Sequence, residues 1–170
     1  MKPLPIACAL SLLALQSCQS FMGPAPADPE LRDELFSSVA ALVGRWEVQD
    51  QEEPSFIEFE LSSNNSVVRE TMFPNTPHEM TNMYSLDGNS IVMTHYCGAG
   101  NQPHMRAVEV KDDKLVFASD GVSDLETPES FFMANMTLSF LDWDHVNESW
   151  HGVTAGEDSE MPVFRLVRVK

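Results

Sequence analysis

Basic side chains are scarce in this 170-residue chain: Lys and Arg number 10 against 26 Asp and Glu, a formal net charge of -16. So acidic a surface repels phosphate backbones and anionic headgroups, so nucleic acid is not an expected partner and no basic patch can bind a membrane. Cysteine is equally sparse, with only Cys8, Cys18 and Cys97. Common enzyme signatures are missing: there is no Gly-x-Ser-x-Gly elbow, His-Glu-x-x-His, phosphate loop or dinucleotide fingerprint. The nearest approach to a nucleophile and base is Cys97 with His95 or His104, and an apolar setting raises a thiol's pKa. No catalytic residue is therefore assigned. The apolar run from Leu4 to Leu15 falls short of the roughly 20 residues that span a bilayer.

What is present begins with that run. Met1-Lys2 supplies a positive end, the apolar stretch follows, and Leu15-Gln16-Ser17-Cys18 comes directly after it, the order of a secretory signal. Leu15 to Cys18 resembles a bacterial lipobox, with an aliphatic residue three before the cysteine and a small residue just before it. That resemblance implies a signal peptide over 1–17, cleavage before Cys18, lipid on its sulfur and membrane attachment through that anchor. Gln19 in place of Asp resembles the pattern sorted to the Gram-negative outer membrane, facing the periplasm. The alternative is an ordinary signal cut near Ala25 or Ala27. With Cys8 removed and Cys18 lipidated, Cys97 is the one free thiol and no internal disulfide is possible. Residues 18–27, rich in Gly, Pro and Ala, form a tether.

From 28 to 170 the length and a 43% hydrophobic content suit one domain with a substantial core, expected to be monomeric. Asp28-Pro29-Glu30 gives an N-cap, a proline at N1 and an acidic first turn. Leu31, Leu35, Val39 and Leu42 then form one stripe, predicting a helix from Pro29 to about Val43 that lies against the domain. Beyond Gly44 the pattern changes to short strands separated by turn formers such as Ser63-Asn64-Asn65, Asp87-Gly88, Asp112-Asp113 and Asp142-Trp143-Asp144. Ten strands are predicted, near 46–49, 55–61, 66–73, 80–86, 90–97, 104–110, 114–119, 131–141, 145–152 and 162–169. Asp87-Gly88 predicts a type I′ turn with positive φ at both positions. The segment 120–130 is left as the longest loop. Ile57, Phe59 and Leu61 share one face, and Phe132, Ala134, Met136, Leu138 and Phe140 form a second apolar row. Consecutive hairpins of this kind predict an all-β, ten-stranded antiparallel up-and-down barrel, since closure removes exposed edges.

Gly44-Arg45-Trp46 after a short helix, with Arg165-Leu166-Val167-Arg168 in the last strand, resembles the calycin pattern of lipocalins and fatty-acid-binding proteins. In that pattern Gly-x-Trp opens the first strand and a basic side chain from the last strand covers the indole. The resemblance therefore implies a structural motif of Gly44, Trp46 and either Arg165 or Arg168. These two point to opposite faces, and Arg168 is favoured. Thr94 to Cys97 and Gly100 to Pro103 also resemble a segment that recurs in small bacterial lipocalin-like lipoproteins. The resemblance implies a barrel that binds a small apolar or amphipathic molecule.

Ser90 to Arg106 concentrates hydrogen-bonding and ligating groups as no other stretch does. Ile91, Met93, His95 and Cys97 fall on one face, which places His95 and Cys97 inside the barrel. Glu70, on the row of Val68 and Met72, is the candidate acid facing His95, and Tyr84 a candidate phenol. Ligand-binding candidates are thus His95, Cys97, Glu70, Tyr84, His104 and Met105, with ten methionines in the chain as adaptable cavity lining. The competing reading is a satisfied polar cluster that fixes the hairpin register. His78, His95, Cys97, His104, Met105 and His151 are of metal-ligating type, but no pair has the tight spacing of a zinc site, so no metal residue is assigned. Haem is the one cofactor implied, through the superfamily barrels that hold it by a single interior histidine. The remaining alternative is a scaffold for protein contacts in the cell envelope.

Overall fold

The computed structural model describes residues 28–170. The expected signal peptide, lipidation site Cys18 and tether up to Ala27 lie outside the described residues. Asp28 caps the helix α1 (Pro29–Ala40) by accepting the Glu30 N–H at 2.9 Å, with Pro29 in the first turn where no N–H is needed. Leu35, Val39 and Leu42 of the predicted stripe are buried, and α1 packs against the fourth and fifth strands.

Ten strands follow: β1 (Gly44–Val48), β2 (Ser55–Ser62), β3 (Val67–Met72), β4 (Met80–Asp87), β5 (Ser90–Tyr96), β6 (Gln102–Lys111), β7 (Lys114–Ser123), β8 (Phe132–Phe140), β9 (His145–Thr154) and β10 (Glu157–Arg168). Each pairs antiparallel with its chain neighbour, and β1 pairs with β10 to close the barrel. Closure gives every strand a partner on both sides, although β7 and β8 pair only over Lys114–Phe117. The architecture is the expected all-β barrel preceded by one short helix, and it is compatible with a calycin-like fold.

Local chemistry explains the turns. Ser63, Asn64 and Asn65 all adopt positive φ (51°, 55° and 60°), which Asn tolerates better than most residues. Asp87 pairs with Ser90, so the two-residue turn is Gly88-Asn89, and of these only Gly88 has positive φ (58°). The type I′ expectation is corrected to a turn with glycine at its first central position, as type II′ requires. The largest extensions beyond the predicted ends are in β7, which continues to Ser123 because Gln102 and Pro103 pair with Ser123 and Val122, and in β10, which starts at Glu157. The longest loop therefore shortens to 124–131. A bulge between Met133 and Asn135 changes the face presented by β8, so Met133 is buried and Phe132 is only half-buried. Leu61, expected to share the buried face of Ile57 and Phe59, is 43% exposed at the end of its strand.

Gly44 and Trp46 open β1 at one pole of the barrel. The Arg168 guanidinium lies 4.1 Å from the Trp46 ring centroid and donates to the carbonyls of Val43 (2.8 Å), Ala41 (2.8 Å) and Trp143 (3.1 Å). The indole N–H donates to Leu42 O at 2.7 Å. Gly44 has φ +134°, and a Cβ there would stand 3.0 Å from the Arg168 guanidinium, so both the backbone and the plug require glycine. Arg165 instead faces outward and pairs with Asp50. Of the two alternatives, Arg168 is the cover.

Candidate functional site

The interior is filled rather than hollow over most of its length. Ile57, Phe59, Tyr84, Met93, Phe117 and Met136 are all buried and pack across it. Toward the pole away from α1, however, four strands contribute a polar layer. Glu70 comes from β3, Asn82 and Tyr84 from β4, His95 from β5, and Glu148 and Trp150 from β9. Each follows from strand alternation, which keeps residues two apart on one face: Val68, Glu70 and Met72, then Ile91, Met93 and His95, then Val146, Glu148 and Trp150. Glu70, Asn82 and Glu148 are fully buried and His95 is 1% exposed.

The hydrogen bonds run as one relay. Glu70 Oε2 accepts from Tyr84 Oη at 2.6 Å and from Asn82 Nδ2 at 2.7 Å. Trp150 Nε1 donates to Glu148 Oε1 at 2.6 Å. Glu70 Oε1 and Glu148 Oε2 accept from no N–H or hydroxyl group, and the protonation of each carboxyl depends on the other. Two such buried carboxyl groups satisfy these oxygens when one proton lies between them. Burial, followed by the nearby Glu70 charge, pushes Glu148 well above the ordinary carboxyl range, so Glu148 holds that proton and Glu70 accepts it. Burial also raises Glu70, to about 7, against the lowering pull of its hydrogen bonds with Asn82, Tyr84 and Glu148. Tyr84 stays a phenol, raised by burial first and by the neighbouring carboxylates second.

At the other end of the relay, Asn82 Oδ1 lies 2.6 Å from His95 Nδ1. Because the Asn82 amide nitrogen is committed to Glu70, its oxygen can only accept, so His95 carries its proton on Nδ1. Burial lowers the imidazole to about 4 and keeps it neutral. Nε2 is therefore a lone pair, and it has no hydrogen-bond partner. His95 and Trp150 are stacked at a tilt, with centroids 4.8 Å apart, and both line a cavity of about 100 Å³. The remaining wall is thioether and hydrocarbon, including Met72, Met80, Met133 and Met161.

Three of the six sequence candidates, Glu70, Tyr84 and His95, thus meet in one network. Cys97 is half-buried at the same pole, with a thiol raised by burial, and Met105 packs in the core. His104 lies on the outer face, between Thr94 Oγ1 at 3.1 Å and Ser123 Oγ at 2.7 Å. His78 is exposed, and His151 pairs with Asp158. Among the described residues no group of three or more His, Cys, Asp or Glu is arranged to hold a metal. Asn82, Glu148 and Trp150 were not anticipated. An acid placed between Val146 and Trp150 on an alternating row is the signal that identifies Glu148.

A second concavity lies at the helix pole. It is a groove of about 620 Å³ between α1 and the β6–β7 and β8–β9 turns. Leu42, Trp46, Phe140 and Val146 form its apolar floor, and Glu34, Asp112, Asp113 and Asp142 stand around it. Trp143, 81% exposed, is at its edge. None of the six sequence candidates lines this groove. No protein-family model matches the chain, and no curated protein matches it either. The class defined here is therefore architectural: a closed ten-stranded antiparallel barrel with a helix at one pole and a buried acid–amide–imidazole relay toward the other.

Proposed function

We propose that the protein is a lipid-anchored, lipocalin-like lipoprotein of the cell envelope that binds a small amphipathic molecule in the groove at the helix pole. The groove's volume carries this reading. At about 620 Å³ it falls within the roughly 300–1,000 Å³ of small-molecule sites, whereas the cavity beside His95 measures about 100 Å³. An apolar floor under a rim where four carboxylates outnumber the cations of Lys111 and Arg168 fits a ligand with a hydrocarbon body and a neutral or cationic head. Closure of the exposed Trp143 indole over such a ligand would remove it from water. The expected result is saturable binding of dodecyltrimethylammonium below its micelle concentration, read by Trp fluorescence and calorimetry, with laurate binding at least tenfold more weakly. Trp143→Ala should weaken the binding without changing the melting temperature. Absence of saturable binding by either amphiphile would remove the small-molecule role.

The anchor is supported by the order of Met1-Lys2, the Leu4 to Leu15 run and Leu15-Gln16-Ser17-Cys18. Outer-membrane placement facing the periplasm rests on Gln19 following the cysteine. In a Gram-negative host, Cys18→Ala is expected to move the protein from the membrane fraction to the soluble or precursor fraction. Retention of the variant at wild-type levels in washed membranes would count against lipidation.

A further inference from the structure

We propose that His95 and the methionines around it form a binding site for a soft monovalent metal ion, Cu(I) or its surrogate Ag(I), separate from the groove and independent of it. Four thioethers from four strands converge on the cavity beside the imidazole: Met72 ends β3, Met80 begins β4, Met133 lies at the start of β8 and Met161 in β10. Met72 Sδ is fixed 3.7 Å from the Asn82 amide nitrogen, the same side chain that holds His95. Thioether sulfur with neutral imidazole is a soft donor set, which selects Cu(I) over the hard cations that take oxygen ligands. No carboxylate lines the cavity, so hard divalent cations have nothing to bind.

The independent observation is the state of the imidazole. His95 is 1% exposed, its Nδ1–H is committed to Asn82, and its Nε2 lone pair lacks a partner. Buried polar atoms in native proteins are nearly always satisfied, and an ion drawn in among the thioethers is a partner this lone pair can take. The supporting shell has the form that metal-bound histidines require. The ring nitrogen away from the site donates to a fixed acceptor, which sets both tautomer and ring orientation, and here a carboxylate stands behind that acceptor. Volume argues in the same direction. About 100 Å³ accommodates an ion with its side chains drawn in, but a porphyrin would have to displace the surrounding wall. Methionine, unbranched and flexible, can make that inward movement at small cost.

The test uses the full chain carrying Cys97→Ser, with its other thiols alkylated so that they cannot compete. Titration with Ag(I), and anaerobically with Cu(I) buffered by a chromophoric chelator, should show one ion bound per chain. A shift of the His95 Nε2 resonance in ¹⁵N spectra should saturate at the same ratio. Met133→Leu with Met161→Leu keeps the apolar volume and removes two sulfurs. It should weaken Ag(I) binding at least tenfold while the melting temperature of the metal-free protein stays within a few degrees. His95→Gln should abolish stoichiometric binding. If the Cys97→Ser, alkylated chain binds no ion, or if binding survives both sets of substitutions unchanged, the site does not exist. Zn(II) binding in preference to Ag(I) would overturn the assignment of a soft monovalent ion.

Discussion

Glu148→Ala is expected to cost about 3–5 kcal/mol of folding stability at pH 7, a large part of the roughly 5–15 kcal/mol that holds a domain folded. Removing that carboxyl strands the Trp150 indole N–H and takes the proton away from Glu70 Oε1, leaving a buried carboxylate short of one donor. Glu148→Gln, by contrast, is expected to cost under about 1 kcal/mol. Its amide reproduces the protonated acid, accepting from Trp150 through oxygen and donating to Glu70 through nitrogen. Urea denaturation at pH 7 checks both values. Equal losses for Ala and Gln would mean that Glu148 is not the proton-bearing partner.

The same pair sets a pH dependence. Glu70 titrates near 7 in the folded protein against 4.5 for the ordinary group, so the folded state binds the extra proton. Its contribution is fully present below about pH 4.5 and is lost as pH rises through 7. A shift of about 2.5 units corresponds to roughly 3 kcal/mol over that window. Glu148, raised well above its ordinary value, extends the loss to higher pH. His95 acts in the opposite sense: lowered to about 4 from 6.5, it contributes stability above 6.5 that is lost as pH falls through 4. Between about 4.5 and 6.5 Glu70 and His95 nearly offset each other, and Glu148 leaves a net decline with rising pH. Wild-type stability should therefore fall from pH 5 to pH 8, most steeply between about 6.5 and 7. Glu148→Gln should flatten the profile, because it removes one titrating acid while its amide keeps a donor on the other. A wild-type curve that rises across this range would contradict the relay's protonation.

Much of this layer is legible in the chain because alternation is strict within a strand. Glu70 between Val68 and Met72 and His95 two beyond Met93 could each be placed inside from their neighbours. Asn82 and Glu148 obey the same rule, two before Tyr84 and two after Val146, but a polar residue becomes informative only when another polar residue is known to face it across the barrel. That pairing depends on stagger between strands distant in sequence. The filled interior was less accessible, since whether Phe59, Phe117 and Met93 meet across the axis depends on barrel radius and rotamer. His104 shows another limit. It lies beside the richest polar stretch, yet the register of β6 puts Pro103 and Met105 inward and His104 outward. The groove arises from the angle at which α1 approaches the β6–β7 and β8–β9 turns, and no periodicity within a single element encodes that angle.

Replacement of Trp46 by Ala is expected to cost about 3–5 kcal/mol, because a fully buried indole is lost from under the Arg168 guanidinium. Arg168 should be nearly as sensitive in spite of being a basic residue close to the C-terminus. Its guanidinium covers the indole and ties together carbonyls from the α1–β1 connection and the β8–β9 turn, elements more than a hundred residues apart in sequence. Arg168→Lys keeps the charge but cannot span three acceptors, and it should cost about 1.5–3 kcal/mol, the value of hydrogen bonds made by a charged donor. Arg165→Ala provides the contrast within the same strand. It breaks only an exposed pair with Asp50 and should change stability by no more than about 0.5 kcal/mol. The cycle formed by Trp46→Phe and Arg168→Lys should show a coupling of about 0.5–2 kcal/mol, since the guanidinium lies over the ring being changed. Thermal and urea unfolding of the four variants would measure this. If Arg165→Ala and Arg168→Lys lost the same stability, the plug would contribute nothing beyond surface charge, and strand pairing between β1 and β10 alone would have to keep the barrel closed at that pole.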